Sequence, residues 1–166
     1  SEVGYFKRGR ASFEKKIASS QMYANVEIVD LSSNLAEENS VDAVITFRNL
    51  HNWLGPQMDS IFANSFKALK PGGVFGVVEH RADPGTSIHD MKKSGYVTEE
   101  HAIKIAKKHG FVLVAKSEIN ANPKDTKDHP RGVWTLPPNL RLKDVDRNKY
   151  LSIGESDRMT LLFKKP

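Results

Sequence analysis

Residues 41–51 read Val-Asp-Ala-Val-Ile-Thr-Phe-Arg-Asn-Leu-His, and no other stretch restricts the fold as much. At its centre Ala43-Val44-Ile45 is a short apolar run with two β-branched side chains, which fits a buried strand. The run gives way at once to Thr46, Arg48, Asn49 and His51, all able to hydrogen-bond a ligand. A strand that delivers polar groups into the loop at its carboxyl end is how an open α/β sheet builds a ligand site. A second run, Val74 to Glu79, repeats the arrangement and hands over to Glu79, His80 and Arg81.

The rest of the chain alternates between the periods of helix and strand. In the first 20 residues Val3, Phe6, Phe13 and Ile17 fall on one helical face. Val26 to Leu31 reads as a strand, and Ser32 to Ser40 as a polar loop. Met58, Ile61, Phe62, Phe66 and Leu69 form the stripe of a helix that must stop near Lys70, before Pro71-Gly72-Gly73. Residues 82–95 read as irregular. Thr98 is a good N-cap for a helix with Glu99 and Glu100 in its first turn and Lys107-Lys108 in its last, and Gly110 suits the position just past its end. Phe111 to Glu118 and Arg158 to Lys164 read as strands. Between them, residues 119–157 form an irregular excursion containing Pro123, Pro130, Pro137 and Pro138, too long for a hairpin loop. The order predicts one domain over 1–166, of α/β class, with a mostly parallel sheet. The closing pair of strands, joined without a helix, is predicted antiparallel.

Composition removes several classes of function. There is no cysteine, so disulfide and thiolate chemistry are excluded, while the compartment, cytoplasmic or periplasmic, stays open. The net charge is +5, but the lysines are spread out and not interleaved with aromatic residues, so we expect no nucleic-acid partner. No apolar run is long enough to span a membrane, and no membrane partner is expected. His80, Asp83, His89 and Asp90 are close in sequence but lack a standard ligand spacing, so no metal site is predicted.

The element order resembles the carboxyl-terminal two-thirds of a class I S-adenosylmethionine-dependent methyltransferase. Val41-Asp42-Ala43-Val44 is similar to that family's fourth strand, Ala68-Leu69-Lys70-Pro71-Gly72-Gly73 to the turn before its fifth, and Gly110-Phe111 to the start of its sixth. Ser94-Gly95-Tyr96, Asn120-Ala121-Asn122-Pro123 and Gly154-Glu155-Ser156-Asp157-Arg158 resemble a group of uncharacterised bacterial predicted methyltransferases. The resemblance implies a partial Rossmann-like methyltransferase sheet, mostly parallel with its last strand antiparallel, helices on both faces, and the family strand order 3-2-1-4-5-7-6. It also implies transfer of a methyl group from S-adenosylmethionine to a small-molecule acceptor.

On the same resemblance, Asp30 and Leu31 occupy the position that contacts the adenine, unless Asp30 is simply a solvated loop residue. Phe47 and Asn49 fall in the loop lining the methyl-donor pocket. His51 and His80 are the candidate catalytic groups, His51 alternatively being a structural residue packed with Trp53. Arg48, Arg81 and Trp134 are candidates for substrate binding. Arg48 could instead pair with Asp42 or Asp59, and Trp134 could instead fasten the excursion to the core.

One departure stands against these matches. The family's glycine-rich turn after its first strand, and the acidic residue ending its second, have no counterpart here. Weak or absent cofactor binding, and an inactive chain, are therefore expected. Without neighbours, Val26 to Leu31 and Ala43 to Phe47 would leave an exposed edge, so the expectation is a homodimer, a swapped oligomer, or direct pairing of those two strands. The alternative function is a non-catalytic module that associates through that edge.

Overall fold

The computed structural model describes residues 2–31 and 34–166, which divide into two compact units, 1–33 and 34–166. The first unit is the expected helix, α1 (Glu2–Ala18), followed by a single 3₁₀ turn (Gln21–Tyr23). The Ser20 hydroxyl caps that turn by accepting the Met22 N–H. Val26 to Leu31 is not a strand: among the described residues it joins no strand of the sheet, and Val26, Val29 and Leu31 remain exposed. β-branched residues favour a strand only where a neighbouring strand takes the backbone hydrogen bonds, and this segment has none.

In the second unit the elements are β1 (Val41–Phe47), α2 (Leu50–Trp53), α3 (Pro56–Ala68), β2 (Leu69–His80), α4 (Ile88–Ser94), α5 (Glu99–Lys108), β3 (Val112–Ser117), α6 (Arg147–Ile153) and β4 (Arg158–Lys164). The sheet order is β1-β2-β4-β3. Strands β1 and β2 are parallel, with Ala43 to Phe47 facing Val74 to Val78, while β4 runs antiparallel to both its neighbours. The predicted antiparallel closing pair is thus β3 and β4, and β4 is inserted beside β2.

Strand β2 begins earlier than the sequence suggests. Pro71-Gly72-Gly73 lies inside it as a bulge, spanning the register shift between the pairs Val41–Leu69 and Ala43–Val74. A Cβ at Gly73 would sit 2.9 Å from the Lys70 carbonyl oxygen and 3.1 Å from that of Asp42, so only glycine lets the bulge close on β1.

The core lies on one face of this sheet. Phe75, Val77, Met159, Leu161 and Phe163 pack against Leu50, Met58, Phe62, Met91, Ala102 and Ala106 from α2 to α5. The Phe75 ring meets those of Phe62, Phe111 and Phe163 at centroid distances of 5.0, 5.4 and 6.3 Å. Helices were expected on both faces; within 34–166, α2 to α5 share this one core, and the opposite face exposes Ile45, Phe47, Val112 and Leu162. The reason is topological. Strands β1, β2 and β3 step across the sheet in one direction, so right-handed crossovers place every connecting helix on the same side.

Two segments read as loops are built from local signals. Ser87 caps α4 by accepting the Asp90 N–H, and Gly95 ends it in the left-handed conformation. Residues 119–157 are pinned by Asp125, which has no exposed side chain. It accepts the Tyr96 hydroxyl, His129 Nε2, and the N–H groups of Lys127 and Asp157. Burial and the adjacent Asp125 raise the Tyr96 hydroxyl far above the ordinary phenol range, so it serves there as a donor. The excursion then presses its backbone onto the end of α4: a Cβ at Gly132 (φ +55°) would fall 2.1 Å from the Ser94 carbonyl oxygen.

Gly132→Ala should therefore lower stability by well over about 1 kcal/mol and broaden the Trp134 indole resonance. Gly85→Ala, also at positive φ but with open space around it, should cost less and leave Trp134 alone. Thermal unfolding and NMR of the two variants compare them directly.

Candidate functional site

The carboxyl ends of β1 and β2 meet under the excursion and enclose a cavity of about 310 Å³. Its walls include Phe47, Arg48, His51, His80, Trp134, Ser156 and Arg158. Five sequence candidates from three separate segments thus converge. Asn49 stands between Arg48 and α2, at the N-cap of that helix, with its side-chain amide donating to the Phe47 carbonyl at 3.3 Å.

Behind the lining residues His51 and His80 lies Glu79. Adjacent residues of an extended strand face opposite ways, so Glu79 points into the core and His80 into the cavity. Glu79 is completely buried. Its Oε2 accepts the His51 N–H at 3.3 Å, and its Oε1 accepts the His80 N–H at 2.8 Å and lies 3.0 Å from His51 Nδ1. A carboxylate at Nδ1 fixes the ring orientation and favours the tautomer whose Nε2 is unprotonated. His51 packs against Trp134, edge to face at 5.9 Å, and against His80 at 5.4 Å. That pair of contacts replaces the packing with Trp53 considered from sequence.

His80 Nδ1 lies 2.5 Å from the Ser156 hydroxyl. Burial first, then the positive charge from His51, Arg48 and Arg158, push the His80 pKa down to about 3. Arg48 adopts φ +55° at the end of β1, where its N–H donates to the Val78 carbonyl at 2.7 Å. Neither anticipated carboxylate partner reaches it: Asp42 pairs with Lys70, and Asp59 with Lys108 and His109. Arg158 gives one nitrogen to Glu155 at 2.5 Å, while its Nε is buried without a partner.

Arg81 is a correction to the expected substrate-binding set. It lies outside this cavity and is held by Asp157, Glu118 and Glu99 at 2.9, 2.8 and 3.2 Å. Its position after β2 suggested a role here; instead carboxylates from α5, the segment after β3 and the residue before β4 engage its guanidinium, beside a separate pocket that it lines with Asp83 and Lys127. Asp30 and Leu31 belong to the 1–33 unit, where Leu31 is exposed. Sequence reasoning did not select Glu79, Glu155, Ser156 or Arg158 for this site. Glu79 sits on an apolar strand whose only signal was the charge itself. For metal binding, potential ligand atoms of His51, Glu79 and His80 lie within 4.8 Å of one another, a cluster hidden from sequence because His51 is distant in the chain.

Comparison with protein-family models finds no match, and comparison with curated proteins finds none. Solved structures do match. A candidate sarcosine dimethylglycine methyltransferase from Galdieria sulphuraria superposes with a TM-score of 0.60 at 15% identity, over 92% of this chain and 63% of that one. A SAM-dependent methyltransferase from Methanosarcina mazei gives 0.55 at 12% identity, over 92% and 74%. The (4+2)-cyclase SpnF gives 0.54 at 17%, over 84% and 55%. The chain thus spans little more than half to three-quarters of the length of these neighbours. They share with it the α/β, Rossmann-like fold of class I methyltransferases, and the cyclase among them shows that this fold also carries other reactions.

Because His80 has its pKa lowered in the folded state, the unfolded chain binds a proton that the folded chain refuses. Its contribution to stability is complete above the ordinary histidine range near 6.5 and declines as the pH falls towards about 3. His80→Gln should flatten the pH dependence of urea unfolding in that window; an unchanged slope would contradict the assignment.

Proposed function

We propose that the chain is the acceptor-binding part of an S-adenosylmethionine-dependent methyltransferase, acting on a small molecule held in the cavity at the ends of β1 and β2. The observation that carries this reading is the Glu79–His51 pair at the cavity wall, on a fold shared with methyltransferases. The cofactor would supply an electrophilic methyl group on a sulfonium. In this chain the residues available to it from the second unit are Phe47, largely exposed beside the cavity, and Asn49 at the start of α2. With no glycine-rich turn in the sequence, cofactor binding by residues 1–166 is weak in this reading, and methyl transfer correspondingly slow.

The protein's part in such a reaction is to position the acceptor, remove its proton and keep water out. His51 takes the proton at Nε2, with Glu79 holding Nδ1 and stabilising the imidazolium that forms. His80 keeps its ring against His51 and Ser156. Trp134, Val133 and Pro137 close the cavity from the excursion. A second reading is favoured by the bare sheet face, where Ile45 is 66% and Phe47 56% exposed: two copies would cover these faces, whether or not either is active.

S-adenosylhomocysteine at millimolar concentration should shift the amide resonances of Phe47, Asn49 and His51, and a lack of any shift would overturn the methyltransferase reading. Calorimetry giving a submicromolar dissociation constant would contradict weak cofactor binding. In a protein that does transfer methyl groups, His51→Gln should lower kcat by about 10²–10⁴-fold. Ile45→Lys should dissociate any dimer seen by sedimentation; a dimer that survives it would rule out the sheet face as its interface.

A further inference from the structure

Two features of the cavity are left over once His51 and Glu79 have their roles: the guanidinium groups of Arg48 and Arg158. The Arg48 guanidinium has no hydrogen-bond or ion-pair partner among the described residues, while its backbone N–H is held by the Val78 carbonyl in the left-handed region. A non-glycine residue in that conformation is strained and persists where its surroundings impose it. Arg158 has a buried Nε without an acceptor. A buried donor with no acceptor costs free energy unless something else satisfies it. The same cavity is also lined by the apolar Phe47, Val133, Trp134 and Pro137.

The same space brings together His51, Glu79 and His80, so a metal cation has to be weighed against an anion. The charges decide against the cation. Both oxygens of Glu79 are already taken by N–H groups, and the side chain has no exposure. The Arg48 and Arg158 charges already act on His80, and they would repel a dication at the imidazoles. Glu155 offsets Arg158 in part, but its side chain is half exposed, and no carboxylate among the described residues forms an ion pair with Arg48.

We propose that the cavity takes a small organic anion, an apolar body carrying one carboxylate or phosphate, with the oxyanion between Arg48 and Arg158 and the body against Trp134. This deepens the proposed function by naming the chemical class of the acceptor, and it rests on that reading only in taking the same cavity as the acceptor site. The oxyanion orients the molecule and leaves its other end towards His51. Carboxylates and phosphates share this chemistry, and the order of their affinities tells them apart.

The test is an NMR titration of the full chain, without cofactor, using benzoate, phenyl phosphate, benzamide and benzylamine, followed at the Trp134 indole. Benzoate or phenyl phosphate should produce a saturable shift, with benzamide and benzylamine weaker by roughly tenfold or more, the scale of a lost hydrogen bond to a charged group. Arg48→Asn, chosen because Asn tolerates the left-handed backbone, should weaken anion binding by a similar factor while leaving the thermal unfolding midpoint nearly unchanged. Arg158→Gln should weaken it as well. Equal binding of benzamide, an unchanged affinity in Arg48→Asn, or no shift with either anion at millimolar concentration would overturn the proposal. So would equimolar Zn²⁺ shifting the His51 and His80 ring resonances. Anion binding in a protein whose resonances S-adenosylhomocysteine does not shift would retain this inference and remove the methyltransferase reading; a shift with S-adenosylhomocysteine and none with either anion would do the reverse.

Discussion

A carboxyl group with no access to water has to be surrounded by donors, and Glu79 obtains all of its own from two residues. The His80 N–H comes from the same strand. The His51 N–H and Nδ1 come from the first turn of α2, across the parallel pair β1–β2. The position of α2 is therefore tied to β2 by hydrogen bonds as well as by the packing of Leu50 and Leu54. Replacing Glu79 by an apolar residue would leave two backbone N–H groups without an acceptor, so the same side chain that orients His51 also holds the backbone of the lining residues His51 and His80.

The one-sided core gives this tie its setting. Helices α2 to α5 lie on the face that holds Phe75, Leu161 and Phe163, and the polar ends of β1 and β2 emerge together at one rim. The excursion supplies what the strands cannot, an apolar cover of Val133, Trp134 and Pro137 fastened through Asp125, Tyr96 and the close approach at Gly132. The site is thus assembled from a rigid edge and a strapped-down loop.

Much of this was legible in the sequence where local signals act alone. Thr98 caps α5, accepting the His101 N–H, and the run at 158–164 is β4 to the residue. His51, His80 and Arg48 follow strands, where polar groups fall at the rim of an α/β sheet, and they meet Phe47 and the excursion's Trp134 at one cavity. What failed depended on partners distant in the chain. Val26 to Leu31 has strand composition and no strand to pair with. Arg81 looked available because its carboxylates come from positions 99, 118 and 157. Glu79 looked like an ordinary strand end because its role comes from His51, on the other side of α3. The Pro71-Gly72-Gly73 signal for a turn was right in chemistry, but the sheet absorbs it as a bulge.

The central claim is that Glu79 holds His51 with Nδ1 protonated and Nε2 bare towards the cavity. Long-range ¹H–¹⁵N correlation of the histidine rings in the neutral form reads this directly. The account predicts an Nδ1–H tautomer for His51, lost in Glu79→Ala. An Nε2–H tautomer in the unaltered protein, or a tautomer indifferent to Glu79, would contradict it.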